Sequence, residues 1–291
     1  MVELKNVAIC GIGTPLGKEL SEQLKDKGCN ILEIRGTDLR LPAPALAEKI
    51  AGADGVINLY GEPYVAKWKG RYEFDIYRSR QLAIRSICNA LRYAKPEPKF
   101  FITLSNAMVY DIYEVHDEYS SSYGDSFMSE VGQMETKEVL RAAKQCPNIR
   151  LLLARAGYLM SATGGAYPIL ARMAKIGWGG RIDEGYQCIP MIHVADAAAS
   201  LIMLAENEEA RGVYNLTIPE MASMNELVKA FSTTVGKSQR RLPKFIIKLI
   251  AGRAVNLLEQ NCKVVPARLN AMGFKFGHPN VESIIRSLCR K

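Results

Sequence analysis

No run of about 18 apolar residues occurs in this chain, so no helix is expected to cross a membrane. No CxxC occurs among the seven cysteines, Cys10, Cys29, Cys88, Cys146, Cys188, Cys262 and Cys289, which are odd in number and widely spaced. That argues for reduced thiols in a reducing compartment, and against a zinc site or a disulfide framework. No cluster of Lys and Arg gathers the net charge of +8. A dispersed excess of this kind suits solubility and mild attraction to an anion, and no nucleic-acid partner is expected. The first apolar strand begins within six residues of Met1, which leaves no room for a signal peptide. A soluble cytoplasmic protein is expected, or a mitochondrial one from which a presequence has been removed.

What the chain does have is the stretch NVAICGIGTPLGKEL at 6–20. Val7, Ala8, Ile9 and Cys10 make a short continuous apolar run, as a strand buried on both faces of a parallel sheet requires. Gly11, Gly13 and Gly17 punctuate the turn that follows, with Ile12 between the first two. Thr14 is a good N-cap and Pro15 suits the first helical position, so a helix is expected from here to about Lys27, ended by Gly28. A helix start placed directly after a strand aims unpaired N–H groups and a partial positive charge at the turn, where a pyrophosphate can sit. The spacing is GxGxxxG rather than GxGxxG or GxxGxxG.

The chain is long enough for one large domain, or a domain with a smaller companion, and 48% of its residues are hydrophobic. Strands are expected at 30–34, 55–59, 100–104, 149–154 and 213–216, and helices at 41–50, 68–94 and 126–144. Alternation of continuous apolar strands with helices points to a doubly wound α/β domain, whose ligands bind beyond the carboxyl ends of the strands. Arg35 ends the second strand, either as the partner of a ribose 2′-phosphate or as a solvated charge. Past Gly157 the glycines surround an amphipathic segment, Asp196 is expected to cap the next helix, and His193 sits at that join as a structural residue or a catalyst. The chain from 224 onward is expected to be mostly helical. Its basic and apolar stretch 244–258 suits core packing, or contact with a membrane or a partner.

Four stretches carry a resemblance to the atypical or extended short-chain dehydrogenase/reductases, in their epimerase-like branch. They are NLYGEP at 58–63, the W-x10-SR segment at 68–80, the long block at 164–196 that ends in HVAD, and KVVPARLNAMGFKF at 263–276. The resemblance implies a Rossmann-type, doubly wound parallel sheet binding NADP(H), with a smaller, mostly helical C-terminal substrate domain. On that division 1–160 plus 188–216 form the dinucleotide domain, and 161–187 plus 217–291 the substrate or lid domain. It further implies a phosphate loop at Gly11, Ile12, Gly13, Thr14 and Gly17, a 2′-phosphate partner at Arg35, and a cofactor-side turn at Asn58, Tyr60, Gly61 and Glu62. The catalytic serine of the superfamily falls at Ser105, with Asn106 as the alternative.

The sequence departs from the pattern at the chemistry. No YxxxK occurs anywhere, and by position that pair falls at Ser129 and Gln133, neither of which moves protons near neutral pH. Tyr110, Tyr123 and His193 remain as acid–base candidates. Tyr60 stands where the family has a small alanine, and Thr14 interrupts the glycine register. Two functions follow as expectations: an NADP(H)-dependent oxidoreductase or epimerase with an altered acid–base group acting on a small molecule, or a catalytically silent Rossmann scaffold that serves a protein partner.

Overall fold

The computed structural model describes residues 2–177, 184–240 and 260–289, so the stretch 244–258 lies outside the described residues. The first strand, β1 (Asn6–Cys10), runs into the glycine turn and helix α1 (Pro15–Asp26). Thr14 caps α1 from an extended backbone, and Gly28 follows its end at φ +79°, a left-handed conformation that costs glycine little. The next elements are β2 (Asn30–Ile34), α2 (Ala43–Ile50), β3 (Gly55–Asn58), α3 (Tyr72–Leu91) and β4 (Phe100–Asn106). Helix α3 starts later than its sequence suggests because Gly70 adopts φ +56°, which a right-handed helix cannot include.

After β4 the chain makes β5 (Val115–His116), α4 (Phe127–Gln145), β6 (Arg150–Ala156), β7 (Tyr158–Ser161), β8 (Gly164–Gly165), α5 (Tyr167–Lys175) and β9 (Met191–His193). Helix α6 (Val194–Glu206), β10 (Gly212–Leu216), α7 (Met224–Val235), β11 (Lys263–Val264), α8 (Ala267–Ala271) and α9 (Val281–Cys289) complete the described elements.

Six strands form one sheet in the order β10-β6-β4-β3-β1-β2, every pair parallel. From β1 the chain goes first to β2 on one side and then to β3 on the other, so the order switches between β1 and β3. In sheets of this kind a crevice opens at such a switch, beyond the carboxyl ends. Successive residues of a strand enter opposite cores. Ile57, Phe100, Ile102 and Leu152 pack with α1 and α6, whereas Val56, Phe101, Leu151 and Leu153 pack with α2, α3 and α4. Both faces are therefore apolar, which explains the unbroken runs in the sequence.

A third core lies past the strand ends. It joins Met108, Tyr110 and Tyr158 from the sheet side to Tyr167, Met224, Phe231 and Ile284 from α5, α7 and α9. Two small sheets border it: β8-β7-β9, and the parallel pair of β5 with β11. The latter is a departure from the mostly helical expectation for the C-terminal segment, which is otherwise met by α7, α8 and α9.

One expected cap is corrected. His193, not Asp196, caps α6, its Nδ1 accepting from the Ala195 N–H at 3.1 Å. Asp196 instead accepts from the backbone N–H groups of Gly277 and His278, at 2.8 and 2.9 Å. A carboxylate in the first helical turn is well placed against the dipole, and here it also ties a distant segment to the helix start.

Candidate functional site at the strand-order switch

The glycine turn is shaped by what its neighbours forbid. Gly11 has φ +96°, and a β-carbon there would stand 3.0 Å from the Leu59 carbonyl carbon. A β-carbon on Gly17 would stand 2.3 Å from the Gly11 carbonyl oxygen, so helix and turn touch backbone to backbone. Gly13 differs: nothing lies within 4 Å of its β-carbon position. The protein's own packing needs no glycine at 13, and the space beside that backbone is open, whereas Gly164 of β8 packs against Pro15 at the first position of α1. Thr14 does not stand in that space through its hydroxyl, which donates to the Gly11 carbonyl at 2.8 Å and accepts from the Gly17 N–H at 3.0 Å. Ile12 packs against the α1/α6 core.

The turn after β3 lies against this loop. Leu59 N–H donates to the Cys10 carbonyl at 2.8 Å. Asn58 is buried, its amide donating to the Thr103 hydroxyl at 2.9 Å and its carbonyl accepting from Tyr60 N–H at 3.2 Å. Asn58 thus closes the turn with its own side chain. The Tyr60 ring extends to the end of β2, where a β-carbon on Gly36 would be 2.5 Å from its Cε2. Arg35 stands beside it, 72% exposed, with Nε 3.8 Å from a Glu33 carboxylate oxygen.

Helix α3 grips the far side of the turn. Glu62 N–H donates to the Ser79 hydroxyl at 3.0 Å, and Arg80 Nη1 donates to the Glu62 carbonyl at 2.8 Å. The Arg80 guanidinium lies 3.8 Å over the Tyr64 ring, and a β-carbon on Gly61 would be 2.8 Å from its Cζ. Behind it, Arg80 Nε is 3.5 Å from Glu135 Oε1, while Ser105 Oγ donates to Glu135 Oε2 at 2.5 Å. Glu135 is fully buried, and burial is the main cause that pushes its carboxyl up from 4.5 to about 7, against the pull of Arg80, Ser105 and Arg155. Burial likewise pushes the Tyr64 phenol up, so it stays neutral.

The acid–base candidates are dispersed. Ser105 is buried and faces Glu135 between α3 and α4. Asn106 is also buried, its amide donating to the Met128 carbonyl at 3.2 Å. Tyr110 donates its hydroxyl to Asn215 at 3.0 Å, stacks on His116 at 5.1 Å, and is pushed up chiefly by burial. Tyr123 lies beside it with its ring 5.3 Å from the Arg155 guanidinium. His193 caps α6 and stacks on His278 with centroids 3.8 Å apart. At the positions where tyrosine and lysine would stand, Ser129 Oγ is within 2.7 Å of the Val109 carbonyl and 2.6 Å of the Gly124 carbonyl, and Gln133 donates to Ser129 at 3.1 Å. Those two side chains are spent on the fold.

Arg80 enters the sequence reading only as the last residue of the W-x10-SR segment, and Glu135 not at all, although a further signal was there. Arg80 lies four residues from both Ile76 and Ile84 on the core-facing stripe of α3, and Glu135 lies four from Val131 and Val139 on that of α4. A charge on such a stripe demands a buried partner.

Comparisons with known proteins agree with this architecture. Residues 242–288 match a domain of unknown function, DUF1731. An epimerase family protein of Staphylococcus saprophyticus is 25% identical, covering 98% of this chain and 99% of its own length. The cattle epimerase family protein SDR39U1 is also 25% identical, covering 94% of this chain and 96% of its own length. The crystal structure of human epimerase family protein SDR39U1 (isoform 2) with NADPH superposes with a TM-score of 0.86 at 23% identity, covering 98% of this chain and 99% of that one. Over nearly its whole length the chain is thus similar in sequence to epimerase family proteins of bacteria and animals, and it shares the fold of the human one.

Proposed function

We propose that the chain binds NADP(H) across the switch between β1 and β3 and works as an oxidoreductase or epimerase whose proton chemistry is not run by a tyrosine–lysine pair. The observation that carries this reading is the glycine turn: the β-carbon position of Gly13, two residues before α1, is open, so the fold itself does not need a glycine there. Backbone N–H groups and the helix dipole favour a pyrophosphate there. Arg35 is exposed at the end of β2, where a 2′-phosphate would compete with Glu33 for its guanidinium, and an NADPH complex exists for the human relative. When bound, the dinucleotide supplies a hydride donor or acceptor at its nicotinamide.

The chain's own residues divide the remaining work. The 11–17 loop receives the pyrophosphate, Asn58 and Gly61 shape the turn that borders the cofactor, and Arg35 selects the phosphorylated ribose. The division into a dinucleotide domain and a substrate domain that closes over the crevice belongs to the same proposal. Thermal unfolding with each dinucleotide tests it. Ligand at about 100 times its dissociation constant stabilises a fold by about 2.7 kcal/mol, so NADPH should raise the melting temperature measurably and NADH less. No response to either would overturn the reading and favour the silent scaffold.

A further inference from the structure

We infer that Arg80 is the positioning residue of the cofactor-side turn, holding Asn58–Glu62 in the shape that a dinucleotide meets, with Glu135 and Ser105 as its buried anchor. The inference rests on the NADP(H) reading above. The turn has no regular structure of its own, and both polar backbone atoms of Glu62 are claimed by neighbouring residues of α3, Ser79 and Arg80. Arg80 is wedged: the Tyr64 ring lies 3.8 Å to one side, and Gly61 offers only an α-carbon on the other, because a β-carbon would come within 2.8 Å of Cζ. A planar guanidinium fills such a slot and an ammonium does not. The other end of the turn is fastened to β1 through Leu59 and Cys10. Movement of Arg80 therefore moves a segment that touches the phosphate loop at Gly11 and reaches the end of β2 through Tyr60.

The guanidinium in turn is held from beneath. Its Nε faces Glu135 Oε1 at 3.5 Å, and Oε2 of the same carboxylate receives the Ser105 hydroxyl. Ser105, the residue that the superfamily pattern marks for proton chemistry, is thereby committed to the anchor. A residue that acts through the turn touches neither half of the dinucleotide selectively. Its loss should weaken NADPH and NADH alike.

The test is direct titration of both dinucleotides on the full-length protein and its variants. Arg80→Lys keeps the charge but not the planar fork. It should weaken both cofactors by at least about tenfold, the scale of one charge-assisted hydrogen bond, and leave their ratio unchanged. Arg80→Ala should weaken both further, and millimolar guanidinium chloride should restore part of the affinity by occupying the empty slot, which general destabilisation would not allow. Ser79→Ala removes only the hydroxyl facing Glu62 N–H, and should weaken both by a smaller factor even where Arg80→Ala fails to fold. Unchanged affinity in folded Arg80→Lys, or a loss confined to NADPH, overturns the inference and leaves the functional reading standing. A wild-type protein that binds neither dinucleotide overturns both.

Discussion

The ring of Tyr60 lies against Gly36, so close that a β-carbon added to Gly36 would stand 2.5 Å from Cε2 and 3.0 Å from the hydroxyl. Tyr60 belongs to the turn after β3 and Gly36 to the end of β2, so the phenol spans the mouth of the crevice next to Arg35. In the proposed complex the ribose of the adenosine half must share this space. The ring then has to shift before a 2′-phosphate reaches Arg35.

Cofactor preference follows from that pair. A charge-assisted contact to the 2′-phosphate is worth about 1.5–3 kcal/mol, which separates NADPH from NADH by roughly tenfold or more. Arg35→Ala should remove the difference between the two melting shifts. Tyr60→Ala should enlarge the NADPH shift. Equal responses to the two dinucleotides in the wild type would take Arg35 out of the argument, and a smaller NADPH shift in Tyr60→Ala would make the phenol a contact rather than an obstacle.

Carbonyl chemistry by the superfamily's tyrosine route is expected to be absent, so turnover by the proposed activity should be slow on generic substrates. Ser129 and Gln133 are bonded to each other and to the Val109 and Gly124 carbonyls, so no proton donor stands where the superfamily keeps its tyrosine. Incubation with NADPH and a panel of carbonyl compounds and nucleotide sugars should show no turnover at the roughly 1–10³ s⁻¹ usual for enzymes. Turnover in that range would mean that another group has taken the role. Single substitutions of Tyr110, Tyr123 and His193 would then locate it.

The sheet was legible in the sequence because its inner strands are buried on both faces and read as unbroken apolar runs. Asn30–Ile34 and Gly55–Asn58 fall where the pattern puts them, and Thr14, Pro15 and Gly28 bound α1 as their chemistry requires. What sequence could not show are contacts between distant residues. The hydroxyl of Tyr110 is taken by Asn215, 105 positions away, so a free phenol on paper is a bonded one in the fold. The β5 and β11 strands are two residues each and too short to carry a period. The site was half legible: its glycines and turn were visible, whereas the Arg80–Glu135 pair shows only as two charges on apolar stripes.

The C-terminal part should not fold alone. Ile218 N–H bonds to the Met191 carbonyl, Cys262 N–H to the Cys188 carbonyl and Val265 N–H to the His116 carbonyl, and Asp196 holds Gly277 and His278. Its apolar residues Met224, Phe231, Val264 and Ile284 share one core with Met108, Tyr158 and Met191. An excised 217–291 fragment loses that shared surface. Limited proteolysis should yield no stable folded piece with these bounds, and a fragment with a cooperative unfolding transition would count against the shared core.

Stability should fall as pH rises through neutrality, and Glu135 is the reason. Its carboxyl is raised in the fold from 4.5 to about 7, chiefly by burial. Below about 4.5 the group is protonated both folded and unfolded, and burial of the neutral acid beside Ser105 carries no ionic penalty. Between about 4.5 and 7 the unfolded chain releases the proton while the folded chain keeps it, so each pH unit costs the fold up to about 1.4 kcal/mol. Above about 7 both states are ionised and the loss is complete. Glu135→Gln holds a neutral side chain of the same shape at every pH and removes this slope. Denaturant titrations at pH 5 and pH 8 should therefore show the difference in unfolding free energy between variant and wild type moving toward the variant as pH rises, whichever is the more stable at pH 5. A difference that stays constant across that range would mean that Glu135 is ionised throughout, with Arg80 as a full ion-pair partner.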